Sequence, residues 1–240
     1  MAYEDFTTYT EVDSGTYLTV ATNKATGVDI PGNVDVYLYK DFTADYFNAL
    51  DVDWTGYIED ESSTNRYGLG GPAFANVVGE LGDLENTDFI SCAQSRGSSV
   101  AWIRIIRGND VASDWYVGST ETIYYFTISR AAGNDTVNLY VYSDSARTSL
   151  LDTVSVSGFG TAKWRYVYGV MTYNSALSAR LWSGYIENMD LNEAIAGTNM
   201  KINIGDTWKT ISGAKINIGD SWKTVSKIKQ NIGDTWKTVF

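Results

Sequence analysis

Apolar and polar residues alternate along most of this chain with a period of two, the spacing of strands whose successive side chains face opposite sides of a sheet. The run VAWIRIIR (100–107) sets Val100, Trp102, Arg104 and Ile106 on one side and Ala101, Ile103, Ile105 and Arg107 on the other. TIYYFTISR (122–130) and TVNLYVYS (136–143) alternate in the same way. They flank AAGND, whose Gly, Asn and Asp are hairpin-turn residues. WRYVYGVMTYN (164–174) and LWSGYIENMDL (181–191) continue the pattern. The Gly- and acid-rich stretch 56–88 predicts long loops with one or two short strands. No stretch keeps a 3.6-residue apolar period over several turns. The best helical candidate is the short segment Leu191–Ala196, with Asn192 as N-cap. Many strands at short spacing predict an all-β sandwich or barrel.

The C-terminal end follows a different rule. KINIGDTWKTI (201–211), KINIGDSWKTV (215–225) and KQNIGDTWKTV (229–239) align without gaps, so that Trp208, Trp222 and Trp236 recur every 14 residues. A short strand, a Gly-Asp turn and a second short strand predict a β-hairpin per repeat. A three-residue loop, Gly205–Thr207, puts Ile202, Ile204 and Trp208 on one face, whereas a two-residue loop groups Ile204 with Lys209. The alternation therefore favours the longer loop. A lone hairpin is marginal in water, so the three must pack on each other, on the rest of the chain or on other copies. The expected organisation is a sandwich over 1–195 and three hairpin repeats over 196–240.

Composition narrows the chemistry. The 240 residues include 17 Tyr and 8 Trp, side chains that suit pleated, half-buried surfaces. There is no histidine, which excludes Ser–His–Asp and Cys–His machinery and removes the commonest metal ligand. Cys92 is the only cysteine, so no intrachain disulfide forms, and its place in FISCAQS predicts a buried, inert thiol. Net charge is −11, which argues against nucleic-acid binding by the chain as a whole. Residues 199–240 carry 7 Lys against 3 Asp, net +4, and the rest of the chain is therefore net −15. An acidic body with a basic end points either to two surfaces with two tasks or to a tail that docks on its own body. MAYEDFTTYT has neither a basic n-region nor an apolar h-region, and no run approaches the roughly 20 apolar residues of a membrane helix. Synthesis in a cytoplasm, without signal-peptide export or a membrane span, is the expectation.

Several of these strands also carry a resemblance. EDFTTYTEVD (4–13), GNDTVNLYVYSDSARTSLLDTVSV (133–156) and LWSGYIENMDL (181–191) resemble the concanavalin A-like lectin/glucanase superfamily, including laminin-G-like modules. Gly184, Ile186 and Glu187 stand where that superfamily has a Gly-x-Ile-acidic strand end. The resemblance spans about residues 3–195 and implies a jelly-roll sandwich of two curved antiparallel sheets, with a concave face that often carries the ligand. KINIGDTWKTV looks like short tail repeats of bacteriophage structural proteins. Together they imply a virion surface protein, either capsid decoration, head fibre or tail adhesin, with lysis accounting for release.

Candidate residues follow. Sugar binding uses aromatic platforms and fixed polar groups, for which Trp54, Tyr67, Trp102, Arg104, Trp115 and Tyr116 are candidates, with core packing the competing use of each ring. Trp102 and Arg104 share a strand face. Glycosidases of the resembled superfamily carry Glu-x-Asp-x-Glu on one strand. Here Asp51 and Asp53 alternate but Thr55 offers no third carboxylate, Glu59, Asp60 and Glu61 are contiguous, and the three-residue offset of Glu187 and Asp190 predicts opposite faces. The expectation is a binding or structural protein without catalytic residues, the alternatives being a polysaccharide-active hydrolase or lyase and a cellular carbohydrate-binding module. No cofactor is expected. Calcium would need clustered oxygens, for which Asp83, Glu85, Asn86 and Asp88, or Asp41 and Asp45, are candidates against a default of solvated loops. Trp208, Lys209, Trp222, Lys223, Trp236 and Lys237 are the expected assembly interface, either as a small internal core or as anchors onto other virion proteins. A homo-oligomer, with a trimer favoured, fits three hairpins in need of partners.

Overall fold

The alternating runs become fourteen strands in two seven-stranded sheets. The structure, a computed structural model, describes residues 3–59, 69–84, 87–96, 100–108, 113–172 and 177–192, together with six C-terminal strands. In chain order the first fourteen are β1 (Thr10–Asp13), β2 (Leu18–Ala21), β3 (Lys24–Gly32), β4 (Val36–Asp41), β5 (Leu50–Ile58), β6 (Leu69–Ala75), β7 (Ile90–Arg96), β8 (Ala101–Arg107), β9 (Ser113–Gly118), β10 (Ile123–Arg130), β11 (Val137–Tyr142), β12 (Leu150–Val156), β13 (Tyr166–Thr172) and β14 (Leu177–Asp190). Sheet I has the order β1-β4-β13-β6-β7-β8-β9, and sheet II the order β12-β11-β10-β5-β14-β3-β2. Every pairing in them is antiparallel. This is the expected jelly-roll β-sandwich. A 3-10 turn at Phe6–Thr8 is capped by the Asp5 side chain.

The period-two pattern explains the layers. Val52, Trp54, Phe126, Ile128, Leu139, Val141 and Ile186 point inward from sheet II and meet Val36, Leu38, Phe74, Ile103, Ile105 and Val167 of sheet I. Burying each such large side chain contributes roughly 1.5–3 kcal/mol. Cys92 belongs to this core, and burial pushes its thiol up, as the inert reading expects. The outer face of sheet I has a second, smaller core. There Leu81, Leu84 and Phe89, from the segment linking β6 to β7, cover Ala73, Ala75, Ala93, Ile106, Tyr168 and Met171. The Tyr168 hydroxyl donates to the Val77 carbonyl and accepts from the Gly79 amide, which fastens this cover to the sheet.

At the rim, Asp41 accepts two hydrogen bonds from the Arg165 guanidinium, 2.8 and 2.6 Å, and one from the Thr43 amide. The Arg165 bonds, then the Thr43 amide, hold the Asp41 carboxyl at about 2. Because the folded value lies below the unfolded one, near 4, this contribution is complete above about pH 4 and is lost as pH falls toward 2. Asp41→Asn should therefore flatten the pH dependence of urea stability between about pH 4 and pH 2. An unchanged acid limb would refute that assignment.

The chain divides at Leu191 into two units, Met1–Leu191 and Asn192–Phe240. The second contains three separate two-stranded hairpins: β15 (Lys201–Ile204) with β16 (Thr207–Thr210), β17 (Ala214–Ile218) with β18 (Ser221–Val225), and β19 (Lys229–Ile232) with β20 (Thr235–Thr238). Ile204 pairs with Thr207 and Asn203 with Trp208, and the other two hairpins keep the same register. The strands are thus two residues apart, not three, which corrects the expected loop. Gly at the first of two loop positions is the residue pattern of two-residue hairpins, and this turn preference outweighs the grouping of Ile with Trp. The side chains of these strands, including Trp208, Lys209, Trp222, Lys223, Trp236 and Lys237, lie outside the described residues, as do residues 193–196 of the short helical candidate.

Candidate functional site

The outer face of sheet II collects the polar and aromatic partners of the core positions. Asp51, Asp53, Thr55 and Tyr57 alternate on β5 with the buried Leu50, Val52, Trp54 and Ile58. On β10, Ile123, Tyr125, Thr127 and Ser129 alternate with Tyr124, Phe126, Ile128 and Arg130. Ladder register lines these residues up. One row runs Tyr142, Tyr125, Thr55, Glu187 and Lys24 across β11, β10, β5, β14 and β3. The next runs Tyr140, Thr127, Asp53 and Asp190. Tyr57 and Tyr185 pair directly in the row that also holds Ile123 and Thr26.

The Tyr57 and Tyr185 rings stack, with centroids 5.1 Å apart and 13° between planes. Lys24 Nζ lies 3.3 Å from the Tyr185 centroid and 3.4 Å from Glu187 Oε2. Because Lys24 and Tyr57 come from the two strands flanking β14, they hold Tyr185 from opposite sides. The second row is a hydrogen-bonded network. Thr127 donates to Asp53 Oδ1 at 2.5 Å. Arg147, from the loop between β11 and β12, places Nε 3.4 Å from Asp53 Oδ1. Burial raises the Tyr185 and Tyr142 phenols, with neighbouring charges adding to it, so both stay protonated at neutral pH.

Glu187 and Asp190 correct the sequence reading. A three-residue offset implies opposite faces in a regular strand. The ladder between β14 and β5 instead shifts register between them, pairing Glu187 with Thr55 and Asp190 with Asp53. Asn188 has φ +54, and the irregularity adds one residue, which returns both acids to the outer face. Asp190, though mostly buried, therefore joins Asp51 and Asp53. Burial, and then the charges of Asp53 and Asp190, push the Asp51 carboxyl up.

The sequence candidates for ligand contact are scattered. Trp54 is wholly buried between the sheets, stacked on Phe126 at 5.1 Å, and reaches neither face. It alternates with Asp53 and so shares the inward side of β5 with Val52. Tyr116 faces inward from β9, edge-on to Tyr124 at 6.0 Å, and so is separated from its neighbour Trp115. Trp102, Arg104 and Trp115 do come together on the outer face of sheet I, where Arg104 pairs with Trp115 in the ladder and Trp115 is 57% exposed. Tyr67, Asp60 and Glu61 lie outside the described residues. Of the calcium candidates, Asp41 is held by Arg165, Asp45 lies 3.5 Å from Lys163, and Glu85 and Asn86 are outside the described residues. Among the described residues no group of three or more acidic or sulfur ligands is placed to hold a metal.

No family model matches the sequence, and no curated protein matches it. Solved structures do resemble it. A functionally unknown protein from Saccharomyces cerevisiae superposes with TM-score 0.52 at 13% identity, covering 78% of this chain and 96% of that one. Peanut lectin with a 9mer peptide gives TM-score 0.45 at 9% identity, covering 74% and 91%. The exoplasmic/lumenal domain of VIP36 in its Ca2+/Man2-bound form gives 0.40 at 10%, covering 75% and 80%. The likeness to the yeast protein is one of fold, over most of both lengths.

Proposed function

We propose that the sandwich is a glycan-binding domain and that the outer face of sheet II is its binding surface. One observation carries this reading. Five half-buried tyrosines, Tyr57, Tyr125, Tyr140, Tyr142 and Tyr185, stand on four adjoining strands, interleaved with Thr127, Asp53 and Glu187. Ring faces next to fixed donors and acceptors suit sugars, which present apolar C–H faces and hydroxyl edges. The lectins among the fold neighbours make the same ligand class a natural first choice. A glycan array followed by calorimetry tests it. Tyr57→Ala is expected to weaken binding about tenfold, the worth of one aromatic contact of about 1.4 kcal/mol, while leaving the fold intact. Failure of the unaltered protein to bind any glycan at millimolar concentration would sink the proposal.

Asp190 beside Asp51 and Asp53 favours a second reading, glycoside hydrolysis, in which the raised Asp51 carboxyl acts as the acid. Binding without turnover is preferred because Asp53 is already engaged by Thr127 and Arg147. Release of reducing ends that is lost in Asp51→Asn would reverse that preference. For the whole chain, the proposed setting is a virion surface, with the three hairpins attaching the domain to other virion proteins and favouring a trimer. The support is the 14-residue repeat and its basic charge against an acidic body. Finding the protein in purified particles, or not, tests that setting.

A further inference from the structure

Arg147 is held in an unusual way. Its φ is +54, the left-handed region that an arginine adopts only when its surroundings impose it. Asp144 imposes it: its carboxylate accepts from the Thr148 amide and hydroxyl and from the Ser149 amide, while the Arg147 amide donates to the Asp144 carbonyl at 3.0 Å. The loop thereby turns the side chain back over sheet II. Nε donates to the Phe126 carbonyl at 3.1 Å and one Nη donates to the Trp54 carbonyl at 3.3 Å, fixing the guanidinium above the centre of β5 and β10. The other terminal nitrogen, Nη1, has no hydrogen-bond partner among the described residues. Asp53 uses Oδ1 for Thr127 and Arg147, and Oδ2 is likewise without one. Both side chains remain about one-fifth exposed. A fixed donor therefore stands beside a fixed acceptor, with the Tyr142 phenol nearby.

We propose that Arg147 is the specificity-determining residue of this face, forming with Asp53 a donor–acceptor clamp for two adjacent hydroxyls of a neutral sugar. The inference rests on the glycan reading of sheet II. Two vicinal hydroxyls offer one acceptor oxygen to the guanidinium and one donor O–H to the carboxylate, and a sugar lacking either hydroxyl leaves one partner unpaired in a part-buried site. Discrimination against the deoxy analogue then exceeds what lost contact area would give.

The test uses the full chain, the best glycan from the array, and versions of that glycan deoxygenated at single positions. The unaltered protein is expected to prefer the intact glycan at least tenfold over one deoxy form. Arg147→Gly tolerates the left-handed backbone and removes the guanidinium, and Asp53→Asn keeps the shape while changing the acceptor. Each should bring that preference to near unity, with the melting temperature of Arg147→Gly close to that of the parent. If Arg147→Gly binds with undiminished preference, Arg147 only pins its loop and the proposal is overturned. If Arg147→Gly unfolds, Asp53→Asn decides by the same ratio. Glycan binding by the parent with no preference among deoxy forms overturns the clamp and leaves the glycan reading standing, whereas no binding by the parent removes both.

Discussion

Replacing Arg130 with methionine is expected to destabilise the sandwich by about 3–5 kcal/mol. Arg130 ends β10 and is 2% exposed. Nε donates to the Asn134 carbonyl at 2.7 Å, Nη1 to Ala162 at 2.6 Å and Nη2 to Gly160 at 2.8 Å. The guanidinium also lies 4.8 Å from the Trp164 ring centroid. One side chain therefore joins the turn after β10 to the segment that leads into β13. Asp135 closes the same junction from the other side, accepting from the Gly158 and Gly160 amides at 2.9 and 2.7 Å. Methionine replaces much of the volume but none of the donors, so three carbonyls lose a charged partner at once. Lysine would satisfy one or two of them and should fall between. Urea unfolding with an unchanged m-value is the measurement, and a loss below about 1 kcal/mol would show that water replaces the guanidinium without cost.

The two sheets were legible because burial follows strict alternation. Ile103 and Ile105 pack inward while Trp102 and Arg104 face outward, as VAWIRIIR implies. Trp54, a candidate ring platform by its residue type, is in the core because Asp51 and Asp53 occupy the other face of its strand. The tyrosine face was harder to see. TIYYFTISR has aromatics at successive positions, so composition alone does not tell which of Tyr124 and Tyr125 is inside. The ladder does, because Phe126 stacks on Trp54. Asp190 was hidden by the irregularity at Asn188, where parity counting fails; an acid-Asn-x-Asp run at a strand end was the one available hint. Arg147 left no signal in hydrophobic pattern. Its role depends on a loop conformation that Asp144 fixes, and that contact is set by local side-chain bonding rather than periodicity. In the repeats, the Gly-Asp pair was the better guide to register than the apolar grouping.

Gly70→Ala should destabilise the core by about 3 kcal/mol. Trp182 is inserted between the sheets, 2% exposed, with a glycine against it from each side. A Cβ on Gly70 of β6 would lie 2.5 Å from Cε2 and 2.6 Å from Cδ2, the atoms of the ring-fusion bond. A Cβ on Gly27 of β3 would lie 2.4 Å from Cζ3, and one on Gly184, in the strand of Trp182 itself, would lie 3.3 Å from Cζ2. The indole therefore cannot step away from one glycine without striking another, and relief requires the sheets to part. Overpacking of this kind commonly costs about 1–3 kcal/mol, and the lack of an escape direction puts this site at the upper end. The mechanism makes a sharper statement than the magnitude. Gly70→Ala and Gly27→Ala displace the same ring, so the double variant should lose clearly less than the sum of the singles. In a Trp182→Phe background, which removes the fused ring, the added cost of Gly70→Ala should fall by more than half. Equal costs in the two backgrounds would mean that the alanine methyl meets the backbone of the facing sheet and not the indole, and the wedge between the sheets would then have to be assigned to another side chain.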